Sequence, residues 1–385
     1  MTRPRLGLFT RLLEEAPAAE RYRFALEQIS HAEQLGFASA WVAQHHFGEH
    51  EGGLPSPFVL LAAAAQRTEQ IGLGTAVVTL PIDDPLRAAE DAAVVDALSG
   101  GRVQLGIAAG GTPSSFPAFG RDPAARRELF AEHLEVLRDA LAGRGVRGTE
   151  SRIYPDAGDL GQRVWQATFS EGGGRRAGAD GDGLLLSRTQ PRPEGEHEAP
   201  LHEMQLPIIE AYLEELPEGV APRILASRTA LAVDPENLSR ALELAEPGLR
   251  TLAALQPGFD ADGASIEELI AVTDTHVGTP EQVAESLAAD ASLPRVTDVS
   301  FQVHSINAGH ELTLRSLELL ATEVAPRVGF ATGPEAAESL RSAHRASAEP
   351  APVEPGAGSS APGQPGTDDS SATGRPAPAA NGTHA

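Results

Sequence analysis

Ala40-Trp-Val-Ala-Gln-His-His-Phe-Gly-Glu-His-Glu-Gly-Gly-Leu-Pro-Ser56 begins with four apolar residues and turns polar at Gln44, His45 and His46. A short apolar run of this kind reads as a strand buried on both faces. A buried strand that ends in paired imidazoles and spills into a Gly-rich loop fits a parallel α/β protein, which keeps its chemistry at the carboxyl ends of its strands. A polar loop with incidental histidines is the competing reading of these residues alone. The flanking chain decides between them.

On the N-terminal side, Arg5–Phe9 reads as a strand and residues 18–35 as a helix, with Tyr22, Ala25, Ile29, Ala32 and Leu35 on one face and Gly36 closing it. On the C-terminal side come helix Phe58–Arg67, strand Ile71–Leu80, helix Arg87–Leu98, strand Arg102–Ala109 and a helix from Asp122 to Leu141. The alternation continues through strand Arg163–Phe169, a short helix Gly173–Gly178, strand Gly183–Ser187, helix Leu206–Glu215 and strand Ile224–Val233. Residues 237–255 and 264–275 read as helices, Thr279-Pro280 with Gln282 as a capped helix start, Val299–Val303 as the last strand and Glu311–Val324 as the last helix. About eight strand–helix repeats with short connections predict an α/β fold, a single (β/α)8 TIM barrel over residues 1–330. A doubly wound sheet would carry a Gly-rich fingerprint after its first strand, and Leu8-Phe-Thr-Arg-Leu12 has none. Residues 331–385 are rich in Pro, Ala, Gly and Ser, and the composition predicts disorder there.

Composition narrows the chemistry. The chain has no cysteine, and all 30 basic residues are arginine. Thiolate nucleophiles, Schiff-base lysines and a Walker-type lysine are therefore excluded, and a phosphate must be held by Arg, hydroxyls and backbone N–H groups. A formal charge of −24 argues against nucleic acid as a partner. No apolar run is long enough for a membrane span, and the expected location is cytoplasmic.

The residues just after strand ends carry the candidate sites. His45 and His46 follow the second strand, Thr79 and Pro81 the third, Gly110 and Gly111 the fourth, Ser187-Arg188-Thr189 the sixth and His304–Asn307 the last. After the fifth strand, Ser170-Glu-Gly-Gly-Gly-Arg-Arg176 combines a hydroxyl, three glycines and two arginines at a helix start, the makings of an anion site. A flexible turn is the alternative reading. Adjacent histidines on a strand end point apart, so no metal site is expected from His45, His46, Glu49 and His50. Small residues at Ala108–Gly111 would let a flat ring lie close to the backbone, although close helix packing explains them equally well.

Trp41-Val-Ala-Gln-His-His-Phe47, Gly74-Thr-Ala-Val-Val-Thr-Leu-Pro81, Ser99-Gly-Gly-Arg-Val-Gln-Leu-Gly106 and Val277-Gly-Thr-Pro-Glu-Gln-Val283 together resemble the bacterial luciferase-like, flavin-dependent monooxygenases, in the family's order and spacing over about residues 3–328. The resemblance implies a barrel that takes reduced FMN (FMNH2) from a separate flavin reductase and uses O2 to oxygenate a small organic substrate such as an aldehyde. It implies catalytic roles for His45 and His46. It places the flavin phosphate at Arg127, Ser170, Gly172, Gly173 and Arg176, and the ring beside Thr79, Gly110 and Gly111. It also implies a homodimer. Where luciferase subunits carry a cysteine and an arginine this chain has Ala108 and Ala109, and Ser115 stands where an aspartate is expected. Those departures argue against light emission and a long-chain aldehyde. The deazaflavin F420 in a hydride-transfer enzyme, a non-catalytic flavin-binding barrel and a zinc hydrolase are the alternatives.

Overall fold

The computed structural model describes residues 3–48, 52–193, 199–256, 258–303 and 309–343. The expectations placed on residues 49–51, on 304–307, on 194–198 and on the chain from 344 onward lie outside these residues.

Ten strands are present among the described residues: β1 Arg5–Thr10, β2 Ser39–Val42, β3 Gly72–Thr75, β4 Val78–Thr79, β5 Val103–Ala108, β6 Val164–Ala167, β7 Gly183–Leu186, β8 Ile224–Ala232, β9 Thr275–Gly278 and β10 Asp298–Gln302. The helices are α1 Ala18–Gln34, α2 Pro57–Ala65, α3 Pro85–Ser99, α4 Arg126–Leu141, α5 Glu171–Ala179, α6 Leu201–Glu215, α7 Leu238–Ala253, α8 Ile266–Val272, α9 Pro280–Ala288, α10 His310–Leu319, α11 Ala325–Val328 and α12 Pro334–Ser342. Eight strands pair in parallel in the order β1–β2–β3–β5–β6–β7–β8–β10, and β10 returns to β1. The result is a closed barrel with helices between its strands, as the alternating sequence predicts.

Strand periodicity divides the core into two layers. Outward residues such as Leu6, Leu8, Val42, Leu73 and Leu105 pack under the helices in the larger cluster. Inward residues Phe9, Trp41, Ala43, Trp165, Leu185 and Leu225 fill the barrel. Trp41 and Trp165 meet edge to face with ring centroids 5.4 Å apart. Gly74 and Gly183 make room for them, because a Cβ at either position would stand 2.2 Å from an indole ring.

Three local expectations change. The third strand does not run unbroken from Ile71 to Leu80; it splits into β3 and β4 around a cis peptide between Ala76 and Val77. The helix expected over 264–275 stops at Val272, and Thr275–Gly278 instead forms β9, which pairs in parallel with the end of β8 at Thr229–Ala232. Residues 331–343 fold, although they fall within the stretch whose composition predicted disorder. Ala331 bridges to Arg5, and α12 buries Ala336, Ala337 and Leu340. Leu340 joins the interior cluster at the bottom of the barrel, where a Cβ on Gly72 would lie 2.7 Å from its Cδ2. One leucine and two alanines cannot build a core, but they can plug one that already exists.

Candidate functional site

The inward register of β2, through Ser39, Trp41 and Ala43, continues into His45, and that of β1 continues into Arg11. Gln44, His45, His46, Ala76, Val77, Thr79, Gly111, Thr112 and Ser115 line a cleft of about 120 Å³ over the ends of β2 to β5. Gln44 ties its walls together: its Oε1 accepts the Thr79 N–H at 2.7 Å, and its Nε2 donates to Asp83 at 3.0 Å. The His45 backbone N–H donates to Leu54 O at 2.9 Å. Gly52, at φ +152°, lies against the imidazole, where a Cβ would come 2.6 Å from Cδ2. The His46 ring packs edge-on against Phe119 at 4.8 Å, and its buried Nε2 has no hydrogen-bond partner among the described residues. Gly110, at φ +93°, abuts Thr79 and Phe116, whereas a Cβ on Gly111 would enter open space.

The field at this mouth is positive. Burial, then the charges of Arg11, His46 and Arg188, push the His45 imidazole down to about 3. An imidazole held this low is neutral at ordinary pH and offers one nitrogen as donor and one as acceptor. Arg188, just beyond β7, turns inward and is buried. Its Nε donates to Gln302 Oε1 at 2.5 Å and its Nη1 to Thr229 Oγ1 at 3.2 Å. Burial and the Arg11 charge push its guanidinium down to about 9. Its place after a strand end is plain in the sequence, but nothing there marks it as buried or turned inward. Gln44, Arg11 and Gln302 have no sequence signal beyond their nearness to strand ends.

The loop after β6 forms the N-terminus of α5. Ser170 caps the helix, accepting the Gly173 N–H at 3.3 Å. Gly172 faces open space. The other glycines are used for packing: a Cβ on Gly173 would strike Thr168, one on Gly174 the Ile208 carbonyl and one on Gly178 the Tyr212 carbonyl. Arg176 does not reach toward the helix start. Its Nε donates to Gln166 Oε1 at 2.8 Å and its guanidinium lies 4.7 Å over the Phe130 ring. Arg175 pairs with Glu214. Arg127, in the first turn of α4, is exposed, and no hydrogen bond or ion pair engages its guanidinium among the described residues.

The structure thus gathers His45, His46, Thr79 and Gly111 in one cleft, with Gly110 behind Thr79. It sets Ser170, Gly172 and Gly173 at the next helix start around the barrel, and it directs Arg176 into the helix layer. A Cβ would meet nothing at Gly111 in the cleft wall or at Gly172 in the α5 turn, so both places are open to a ligand. Among the described residues no group of three or more His, Asp or Glu side chains is arranged to hold a metal.

A family model described as luciferase-like monooxygenase matches residues 6–205. The limonene 1,2-monooxygenase of Rhodococcus erythropolis is 30% identical over 327 residues, covering 80% of this chain and 82% of that protein. The 4-hydroxyprotoasukamycin monooxygenase of Streptomyces nodosus subsp. asukaensis is 40% identical over 131 residues, which span 34% of this chain and only 35% of that protein. Among solved structures, the FMN-bound oxygenating constituent of 3,6-diketocamphane monooxygenase from Pseudomonas putida superposes with a TM-score of 0.67 at 19% identity, covering 86% of this chain and all of that one. An F420-dependent secondary alcohol dehydrogenase superposes at 0.63 and 18% identity, covering 85% of this chain and 99% of that one.

Proposed function

The chain belongs to the luciferase-like monooxygenase family, and we propose that it is an FMN-dependent monooxygenase acting on a small organic substrate. The observation that supports FMN most directly is the alignment of two half-sites around the rim. The ring-sized wall at Ala76, Val77, Thr79 and Gly111 over β3 to β5 is followed, one strand on, by the open helix start at Ser170 and Gly172. Reduced FMN bound there would supply the electrons that activate O2. Thr79 and Gly111 border the ring, while Ser170, Gly172 and Arg127 hold the phosphate. Gly110 and Gly173 shape the backbone behind them.

His45 and His46 face the reacting end of the cleft. A neutral His45 offers one nitrogen as donor and one as acceptor, and it can take up a proton when a bound anion offsets the arginine charges. His46 presents a buried Nε2 ready for a ligand partner. Closing a ring over this cleft keeps bulk water from the reacting atoms.

Reduced flavin comes from a separate reductase in the cytoplasm. Two copies of the chain pair through the faces of α2 and α3 that expose Val59, Val94 and Leu98. No helix among the described residues is long and apolar enough to cross a membrane.

The deciding experiment is an anaerobic titration with reduced FMN and, separately, reduced F420, followed by admission of O2. Saturable binding of reduced FMN and substrate-dependent O2 uptake are expected. Preference for F420 with no O2 uptake overturns the monooxygenase and leaves hydride transfer.

A further inference from the structure

The wall across the barrel axis from the ring cleft is built differently. There, beyond β7 and on β8 and β10, stand Arg188, Thr229 and Gln302, all buried. Thr229 and Gln302 are register partners on the inward face. Together they hold Arg188 through Nε and Nη1, which fixes the plane of the guanidinium. No carboxylate pairs with it among the described residues, and Nη2 has no protein acceptor there. Gln302 gives its Oε1 to Arg188, and its buried Nε2 has no partner among the described residues. Among the described residues the corner therefore presents N–H groups with no acceptor for them, in a protein of net charge −24. An unopposed buried cation of this kind is costly unless a ligand completes it.

We propose that Arg188 and Gln302 form a clamp for a planar anion with paired acceptor oxygens, the carboxylate of an organic-acid substrate. This rests on the barrel mouth being the active site. Guanidinium and carboxylate are matched in shape, and the Gln302 amide adds a third donor from the side. The reduced flavin ring carries a comparable anionic edge at its N1–C2 oxygen, but the ring wall lies on the far side of the mouth, over β2 to β5. The positions of Arg188 and His45 then set opposite ends of one substrate: its acid group on β7–β10, its reacting carbon toward the cleft.

The test is calorimetric titration of the full chain, free of flavin, with benzoate and hexanoate and with the neutral benzamide. Wild type should bind the acids saturably and benzamide roughly tenfold or more weaker. Arg188→Gln should lose roughly tenfold or more of acid affinity, and Arg188→Lys part of it, while Kd for reduced FMN stays within about threefold. Thermal melts check that each variant is folded. Should Arg188→Gln fail that check, Gln302→Ala is measured in its place and must weaken the acids alone. Unchanged acid binding with a tenfold loss of reduced over oxidised FMN affinity overturns the substrate assignment and gives the clamp to the ring. Acid binding that is absent in wild type, or unchanged in both variants with FMN affinity also unchanged, overturns the clamp. The acid titrations do not depend on whether wild type binds FMN, so a failure of the flavin proposal is seen separately.

Discussion

His45 lies within the field of two guanidiniums, and a third positive charge beside Arg11 and Arg188 is opposed both by them and by burial. Its folded value of about 3 is below the ordinary 6.5, so the unfolded chain binds more protons between those limits. The stability this residue lends is complete above pH 6.5 and is lost as the pH falls toward 3. His276, pushed down to about 4 by burial and by Arg228, acts with the same sign. Thermal midpoints should therefore drop between pH 6.5 and 4, and His45→Gln should flatten that drop; an unchanged slope would show that the imidazole is not held neutral. In catalysis, His45→Ala should leave FMN affinity within about threefold and lower product formed per reduced flavin, measured by single turnover. Unchanged yield removes His45 from the chemistry. Gly111→Ala meets nothing in the protein, so it should melt like wild type yet weaken FMN binding, and unaltered affinity moves the ring off that wall. The inward direction of His45 was legible from the alternation of β2. Its charge state was not, because it is set by burial and by arginines just beyond β1 and β7, far from His45 in sequence.

At the scale of elements, the Gly-rich start of α5 shows how one signal can serve two purposes. Three glycines beside a hydroxyl read as an anion loop, and Gly172 with Ser170 keeps that geometry. Gly174 and Gly178, four apart on one face, instead bring α5 against the carbonyls of Ile208 and Tyr212 on α6. Gly178→Ala should then cost about 1–3 kcal/mol by overpacking, read by urea denaturation, without altering FMN affinity. Gly172→Ala, which meets open space, should do the reverse. If both behave alike, the division of labour is wrong. Sequence could not separate them, since the partner helix lies some thirty residues on. Apolar runs marked the eight barrel strands but missed β9, because a four-residue strand laid beside β8 is too short to show a periodicity of its own between two helices.

For the whole molecule, the boundary at residue 330 cuts through a working part. Truncation after 330 removes Leu340 from the barrel bottom and Ser339 from Arg5, whose guanidinium also pairs with Asp298. It should lower the thermal midpoint by several degrees, whereas truncation after 343 should not. Equal midpoints would make α12 dispensable. The exposed apolar residues Val59 on α2 and Val94 and Leu98 on α3 predict a dimer by light scattering that Val59→Glu with Leu98→Glu converts to a folded monomer. A double variant that stays dimeric sends the interface elsewhere.

The paired indoles at the centre of the barrel have an optical consequence. Trp41 and Trp165 are the chain's two tryptophans, and both lie in the interior beneath the mouth. All the indole emission of the protein therefore starts from one spot, shielded from water and close below any ring bound in the cleft. Their perpendicular contact couples the two transitions, so the near-ultraviolet circular dichroism carries the signature of that pair. An isoalloxazine seated above them would take up their excitation. The loss of emission would then follow occupancy directly, with no label added to a chain that has neither a thiol nor a lysine to carry one.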